Sequence, residues 1–483
     1  MMRSFPLLLI ALLFTACATN PVSKHSEFVL MSEKDELALG RKAAEEVSKN
    51  MPLLPAEDPL TRYVDRVGQT VAAVSDRPNL IYRFRIVDDA TINAFALPGG
   101  HIYIHRGLLN HMNSEAELAA VLGHEIGHVT ARHAVQQYTR MQGYRIGAMV
   151  TSIFVPVPYE AMQLSDLLAA AIISGYGREA ELQADELSLK YIARAGYDPH
   201  ATIGILETLK RLDDLEARER SDAGEKVEQY HGAFSSHPET EKRIREAVAK
   251  AASLQRTQGR IGHETMLRKL VGYPYGDSPE QGAVVGQRFL HPKLRFQLRF
   301  PDGWVIDNRS EALEARLRKQ KVFFRLTLRE LDKKQTARAL LAELIGHRRH
   351  TPITSGMQSG FQTAHSTVRT SMPHVSQAAA DVHIFLKGDR AYLLAMWEPR
   401  KQYPEHRADF AAIAASFRSY DPARDGDVPR IALHRWQAGD SWQALARASG
   451  MVLGRFTAEK LAALNGMSVA QHPAPGTLIK IVR

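Results

Sequence analysis

The chain has 483 residues, 45% hydrophobic and 24% charged, enough apolar content for packed cores and enough length for about three domains of roughly 150 residues. Its 32 glycines and 23 prolines are too few for a collagen-like or low-complexity protein, and its single cysteine excludes an internal disulfide framework or a cysteine-based zinc or iron–sulfur site. The formal net charge of +9 is uneven: residues 1–250 carry 27 Lys+Arg against 33 Asp+Glu and residues 251–483 carry 35 against 20, so the halves read as different modules.

Met1 to Ala16 reads as a secretory signal. Arg3 is its positive start, and Leu7 to Phe14 is an apolar core too short for a transmembrane helix, which needs ~20 apolar residues. Leu13-Phe14-Thr15-Ala16-Cys17 resembles a bacterial lipobox, which implies cleavage before Cys17 and lipidation of that residue. A short tether would follow over 17–26. Ala18 after the cysteine favours, by resemblance to envelope sorting rules, an outer-membrane address.

Helical spacing is expected over Glu33 to Val47 and Pro59 to Val74, and strand alternation over Tyr82 to Val87 and His101 to His105. Ser114 to Tyr138 reads as one long helix capped by Ser114, with Glu115 and Glu117 in its first turn. Tyr144 to Tyr176 is apolar but interrupted by Pro156, Pro158, Glu160 and Asp166, which suggests a hairpin rather than a span. Arg178 to Ala195, Ala201 to Leu215 and Glu239 to Leu254 read as helices, with a charged loop over Ala217 to Glu228.

Within the long helix lies His124-Glu125-Ile126-Gly127-His128. Histidines at i and i+4 share a helix face and can reach one zinc ion, and the glutamate beside the first can take a proton from water that zinc acidifies to near neutral pH. A third ligand is required. Ala131 and Ala134 stand where a metzincin needs Gly and His, so His133 is read as a hydrogen-bonding structural histidine. Downstream, Glu181 and Asp185 are an i, i+4 pair beside Ala180 and Ala184. Glu181 would complete a His, His, Glu set, and Asp185 would hold a ligand histidine by its other ring nitrogen.

Together with Asn93-Ala94-Phe95-Ala96-Leu97-Pro98-Gly99-Gly100 and Arg178-x-x-Glu181-x-x-Ala184-Asp185, this motif resembles the gluzincin metalloproteases that include the HtpX and CAAX prenyl endopeptidases, nearest to their periplasmic lipoprotein branch of the BepA and LoiP type. The resemblance implies one Zn²⁺ held by His124, His128 and Glu181, with Glu125 as general base. It implies a substrate-binding strand involving Asn93, Ala94, Phe95, Ala96, Gly99 and Gly100, open to an extended peptide by strand addition. It further implies that His237, in Ser236-His237-Pro238, acts at the zinc, either stabilising the oxyanion or plugging the open position, and that Arg243 lies near the site. A helix-capping role is the alternative for His237. No tetratricopeptide period follows the protease segment, so partner recognition by such repeats is not implied.

From Gly286 strands and helices alternate over Leu294 to Phe300, Lys321 to Leu328, Thr336 to Ile345, Ala380 to Lys387, Arg390 to Trp397 and Pro404 to Phe417. This α+β texture weakly resembles domains of the PsbP and Mog-like type. Its His291, His347, His350, His365, His374 and His383 show no ligand spacing and read as surface or core residues. Residues 430–483 resemble a LysM module through Gly439-Asp440, Leu464-Asn465-Gly466 and Pro475-Gly476.

The fold class expected is therefore multidomain: a mainly α-helical zincin protease domain with a small β-sheet (27–262), a linker (263–284), an α+β domain (285–422) and a small LysM-like βααβ domain (430–483). The function expected is a zinc endopeptidase of the bacterial envelope. Its substrates would be misfolded or misassembled periplasmic or outer-membrane proteins, its anchor a membrane lipid, and peptidoglycan a further partner through the C-terminal module. Nucleic acid is disfavoured, since no basic–aromatic motif occurs. The alternative is an envelope chaperone or cell-wall-binding lipoprotein with a gated or silent zinc site.

Overall fold

The structure, a computed structural model, describes residues 17–19, 21–22, 26–28, 31–140, 176–222, 240–253, 259–309, 311–331, 335–451 and 456–483. The signal, the apolar stretch before Tyr176, and Ser236, His237 and Pro238 lie outside the described residues. The chain divides into two compact units, one of residues 1–273 with 430–483, the other of residues 274–429.

In the first unit, β1 (Cys17–Thr19) pairs antiparallel with β2 (Ser26–Phe28). Two helices follow, α1 (Glu33–Asn50) and α2 (Pro59–Ala72). Each starts where its sequence says it should: the Ser32 side chain accepts from the Asp35 amide, and Asp58 accepts from Leu60 with Pro59 in the first turn. The strands β3 (Arg83–Val87), β4 (Ala94–Leu97) and β5 (His101–His105) form a sheet of order β3-β5-β4. β3 runs parallel and β4 antiparallel to β5, so β4 is an edge strand.

After the short α3 (Arg106–His111) comes α4 (Glu115–Thr130). Ser114 caps it, accepting from the Glu117 amide, while the Glu117 carboxylate accepts from the Asn113 amide at 2.7 Å. The helix is shorter than expected. Residues 131–132 form a turn, with Arg132 left-handed at φ 58°, and helical structure resumes at 133–140. α5 (Arg178–Arg194) packs against α4 through small residues. A Cβ on Gly127 would lie 3.2 Å from the Ala184 backbone, and one on Gly123 3.2 Å from the Ser188 hydroxyl. That close approach brings a side chain of α5 within reach of the histidines of α4.

α6 (Ala201–Asp222) runs further than the sequence suggested, into the segment read as a charged loop. Its extra turns carry an i, i+4 pair, Glu216 with Arg220, of the kind that supports an exposed helix. α7 (Thr240–Ser253) follows, and α8 (His263–Leu270) occupies the start of the stretch read as a linker, with Met266, Leu267 and Leu270 buried.

The second unit carries β6 (Ala283–Val285), β7 (Arg288–His291), β8 (Phe296–Arg299), β9 (Trp304–Asn308), β10 (Leu313–Leu317), β11 (Phe323–Glu330), α9 (Ala337–Ile345), β12 (Thr354–Gln358), β13 (Phe361–Met372), β14 (Val375–Lys387), β15 (Arg390–Pro399), α10 (Tyr403–Ser416), β16 (Arg418–Ser419) and α11 (Pro422–Asp425). A seven-stranded antiparallel sheet, β12-β13-β14-β15-β11-β10-β9, is joined by a four-stranded one, β16-β8-β7-β6. Alternation sorts the long strands: Ala364, Val368, Ile384 and Leu386 pack with α9, whereas Phe361 and Phe385 join a core with Phe410, Ile413 and Phe417.

Residues 430–483 run β17 (Ile431–Arg435), α12 (Trp442–Arg447), α13 (Thr457–Leu464) and β18 (Leu478–Val482), with β17 and β18 antiparallel. The sequence reading separates them as their own module, yet they share the first compact unit. The physical reason is a set of buried polar ties. Lys480 Nζ donates to the Asn110 and Met112 carbonyls at 2.6 and 2.8 Å, and burial lowers its pKa to about 7. The two ring nitrogens of His263 lie 2.6 Å from the Asn113 carbonyl and 2.9 Å from that of Leu478.

Among the described residues no helix is long and apolar enough to cross a membrane.

Candidate metal centre

His124 and His128 project from one face of α4, and Glu181 from the first turn of α5, all buried. The two Nε2 atoms are 2.9 Å apart, and Glu181 oxygens lie 3.4 Å from His124 Nε2 and 3.5 Å from His128 Nε2. Ligand atoms of one tetrahedral zinc, with bonds of about 2.0–2.1 Å, lie about 3.3 Å from one another. The triangle therefore fits one zinc ion, with two imidazoles and a carboxylate as donors and a fourth position left for water.

The surroundings set the tautomers. Asp185 Oδ1 sits 2.9 Å from His124 Nδ1, so that nitrogen carries the proton and Nε2 is left to the metal. On the other ligand, His128 Nδ1 is 2.8 Å from His133 Nδ1, and His133 Nε2 is 2.8 Å from Gln183 Oε1. With the amide oxygen accepting from His133 Nε2, His133 Nδ1 accepts from His128, and His128 Nε2 is again bare. Burial lowers the His133 pKa to about 4, which keeps that ring neutral for the relay. The left-handed Arg132 turns the chain so that His133 faces back onto His128.

Arg243 of α7 pairs with both acids of the site. Its Nε and a terminal nitrogen donate to the two Asp185 oxygens at 2.7 and 2.8 Å, and its other terminal nitrogen is 3.2 Å from Glu181. Burial would raise the Asp185 carboxyl, but the Arg243 charge and hydrogen bonds outweigh it and hold the pKa at about 2. Those same carboxylates raise the pKa of the guanidinium against its own desolvation. Tyr176, which sequence reasoning missed, stacks on His128 with ring centroids 4.1 Å apart and planes 20° apart. Its only signal in the sequence is its place at the end of the apolar stretch.

Glu125 and His124 line a cleft beside the triangle. Asn93 and Ala94, at the start of the edge strand β4, share that lining, with Val121 and Leu206 among its apolar walls. The rest of the expected substrate strand is not brought there. Alternation along β4 turns Phe95 into a core with Val47, Val87 and Tyr103, and Gly99 and Gly100, at φ 77° and 88°, make the turn at the strand's far end. Ala96 is buried within β4.

Residues 59–251 match Peptidase family M48. Over 260 residues the chain is 32% identical to the mitochondrial metalloendopeptidase OMA1 of Schizosaccharomyces pombe, a match covering 52% of this chain and 72% of that protein. The chain belongs to peptidase family M48. Other similar M48-region relatives are the beta-barrel assembly-enhancing protease of Yersinia pestis, 33% identical over 189 residues, and metalloprotease YcaL of Escherichia coli, 28% identical over 197 residues. The matches cover 37% and 39% of this chain, and 38% and 71% of those proteins. The matched segment holds His124, Glu125, His128, Glu181, Asp185 and Arg243 together. This M48 peptidase is a zinc metallopeptidase, and its His124, His128 and Glu181 form the group suited to the ion.

Proposed function

We propose that this M48 peptidase is an endopeptidase of the bacterial cell envelope, cleaving misfolded or misassembled periplasmic and outer-membrane proteins. The observation that carries the proposal is the placement of Glu125, buried beside the His124, His128 and Glu181 triangle and lining the same cleft as the edge strand β4. Zinc, when bound, supplies Lewis-acid polarisation of a peptide carbonyl and a water acidified to near neutral pH. Glu125 receives the proton of the attacking water and passes it to the leaving amine. An extended backbone adds to β4, which reads main chain rather than side chains and tolerates many sequences. Asp185 and His133 hold the ligand imidazoles in the tautomer that metal binding needs.

The envelope address rests on Met1 to Ala16 and the lipobox at Cys17, and the substrate class on the name of the Yersinia pestis relative. Residues 430–483 are read as a LysM-like module directed at peptidoglycan, and residues 285–422 as an α+β domain of the PsbP and Mog-like type. His237 is assigned to the open zinc position as a plug. Purified protein on unfolded casein and on cell-wall sacculi tests the reading. Casein cleavage lost in Glu125→Gln, with sacculi intact, is the expected result. Sacculus digestion or inert casein would reject it. Cys17→Ser should release the protein from the membrane fraction, and His237→Ala should raise proteolysis.

A further inference from the structure

The second unit holds a cluster that no feature of the peptidase reaction uses. On β13 and β14, His365 and His383 are directly opposite one another in the antiparallel register, and Asp381 stands two residues before His383 on the same sheet face. The imidazoles stack with centroids 4.1 Å apart and planes 25° apart. His365 Nε2 lies 3.6 Å from Asp381 Oδ1, longer than a hydrogen bond, and one ligand atom from each of the three residues falls within 4.8 Å of the others. We propose that His365, Asp381 and His383 form a second metal site, for a divalent transition ion of the zinc class, pinning β13 to β14.

Three observations support it. The donor set, two imidazoles and a carboxylate, is one that suits zinc. His365 Nε2 is withdrawn from water with no hydrogen-bond partner, a state that a buried nitrogen rarely keeps without a ligand. Asp381 is itself buried and oriented: Thr367 Oγ1 and Tyr403 Oη each donate to its Oδ1 at 2.7 Å. Such carboxylate fixing by neighbouring donors is what built metal sites show. The ordinary alternative is a stacked histidine pair with Asp381 as a structural acceptor. It accounts for the stacking and leaves unexplained why His365 Nε2 stands 3.6 Å from Asp381 Oδ1, short of a hydrogen bond.

The test is zinc stoichiometry on the full chain after equilibrium dialysis against micromolar free Zn²⁺. The wild type should hold two equivalents. His365→Phe or His383→Phe, which keep an aromatic ring in the stack, should each lose one, with casein hydrolysis unchanged. In the separate double variant His124→Ala/His128→Ala, one equivalent should remain, and added Zn²⁺ should still raise the melting temperature of that protein. This arm needs no change at the proposed site, so poor folding of the Phe variants would not hide the answer. Wild-type stoichiometry in His365→Phe, or no zinc left in the His124→Ala/His128→Ala protein, would overturn the proposal.

Discussion

The same donor set, two histidines and a carboxylate, occurs twice in this chain on different scaffolds. At the peptidase centre the donors come from two helices, all three are buried, and a buried arginine, Arg243, salt-bridges Glu181 and Asp185. In the second unit they come from neighbouring strands, His365 is about a third exposed, and two hydroxyls rather than a cation steady the acid. A glutamate positioned as a base, and a cleft beside it, accompany only the first cluster among the described residues. Ligand chemistry alone therefore does not make a catalyst. The helical centre pairs its acids with a buried cation and borders a cleft, whereas the sheet cluster is suited to holding an ion in place.

That contrast can be broken most sharply by removing ligands. His124→Ala, His128→Ala or Glu181→Ala should each eliminate casein hydrolysis and one equivalent of zinc, read by metal analysis. Full zinc in Glu181→Ala would refute the ligand set. Next in size is the buried cation. Arg243→Met leaves Asp185 and Glu181 buried without their counter-charge, and should lower unfolding stability by about 3–5 kcal/mol in denaturant titrations. Tyr403→Phe, which removes one hydroxyl donor to the Asp381 carboxylate, should lower it by less, about 1.5–3 kcal/mol. Equal effects would erase the distinction between the two scaffolds. Asp185→Asn and His133→Phe should weaken zinc binding at the peptidase centre ~10–100-fold, measured by chelator competition, because each changes the group that sets a ligand tautomer.

A further effect concerns pH in the second unit. His291 is held neutral by burial, with its pKa lowered from 6.5 to about 4. Between those values the unfolded chain binds the extra proton, so stability rises with pH and is lost as pH falls from 6.5 towards 4. The contribution has a slope of roughly 1.4 kcal/mol per pH unit at most. His291→Phe should flatten that part of the unfolding profile, and an unchanged slope would show that other groups carry it.

The two clusters also differ in how far the sequence reveals them. His124 and His128 are four residues apart on one helix, and Glu181 and Asp185 repeat that spacing on another, so local periodicity exposes both pairs. His365 and His383 are brought together only by the β13–β14 register, which no local spacing reports. His133 escaped assignment to the zinc relay because the left-handed turn at Arg132 is not signalled by its residue type. Tyr176 reaches His128 across the fold. The extension of α6 to Asp222 was legible after all, in an i, i+4 charge pair, but a dense run of charge reads first as a loop. The burial of Lys480 against Asn110 and Met112 was not, since an isolated lysine in a strand gives no hint of a carbonyl waiting for it.

The most direct test of the central claim is to measure zinc content and casein hydrolysis on one preparation of Glu125→Gln. Glu125 touches the cleft and is not among the three ligands, so the variant should keep wild-type zinc and lose ~10²–10⁴-fold in turnover, the share of a positioned general base. Wild-type turnover with zinc in place would contradict the account.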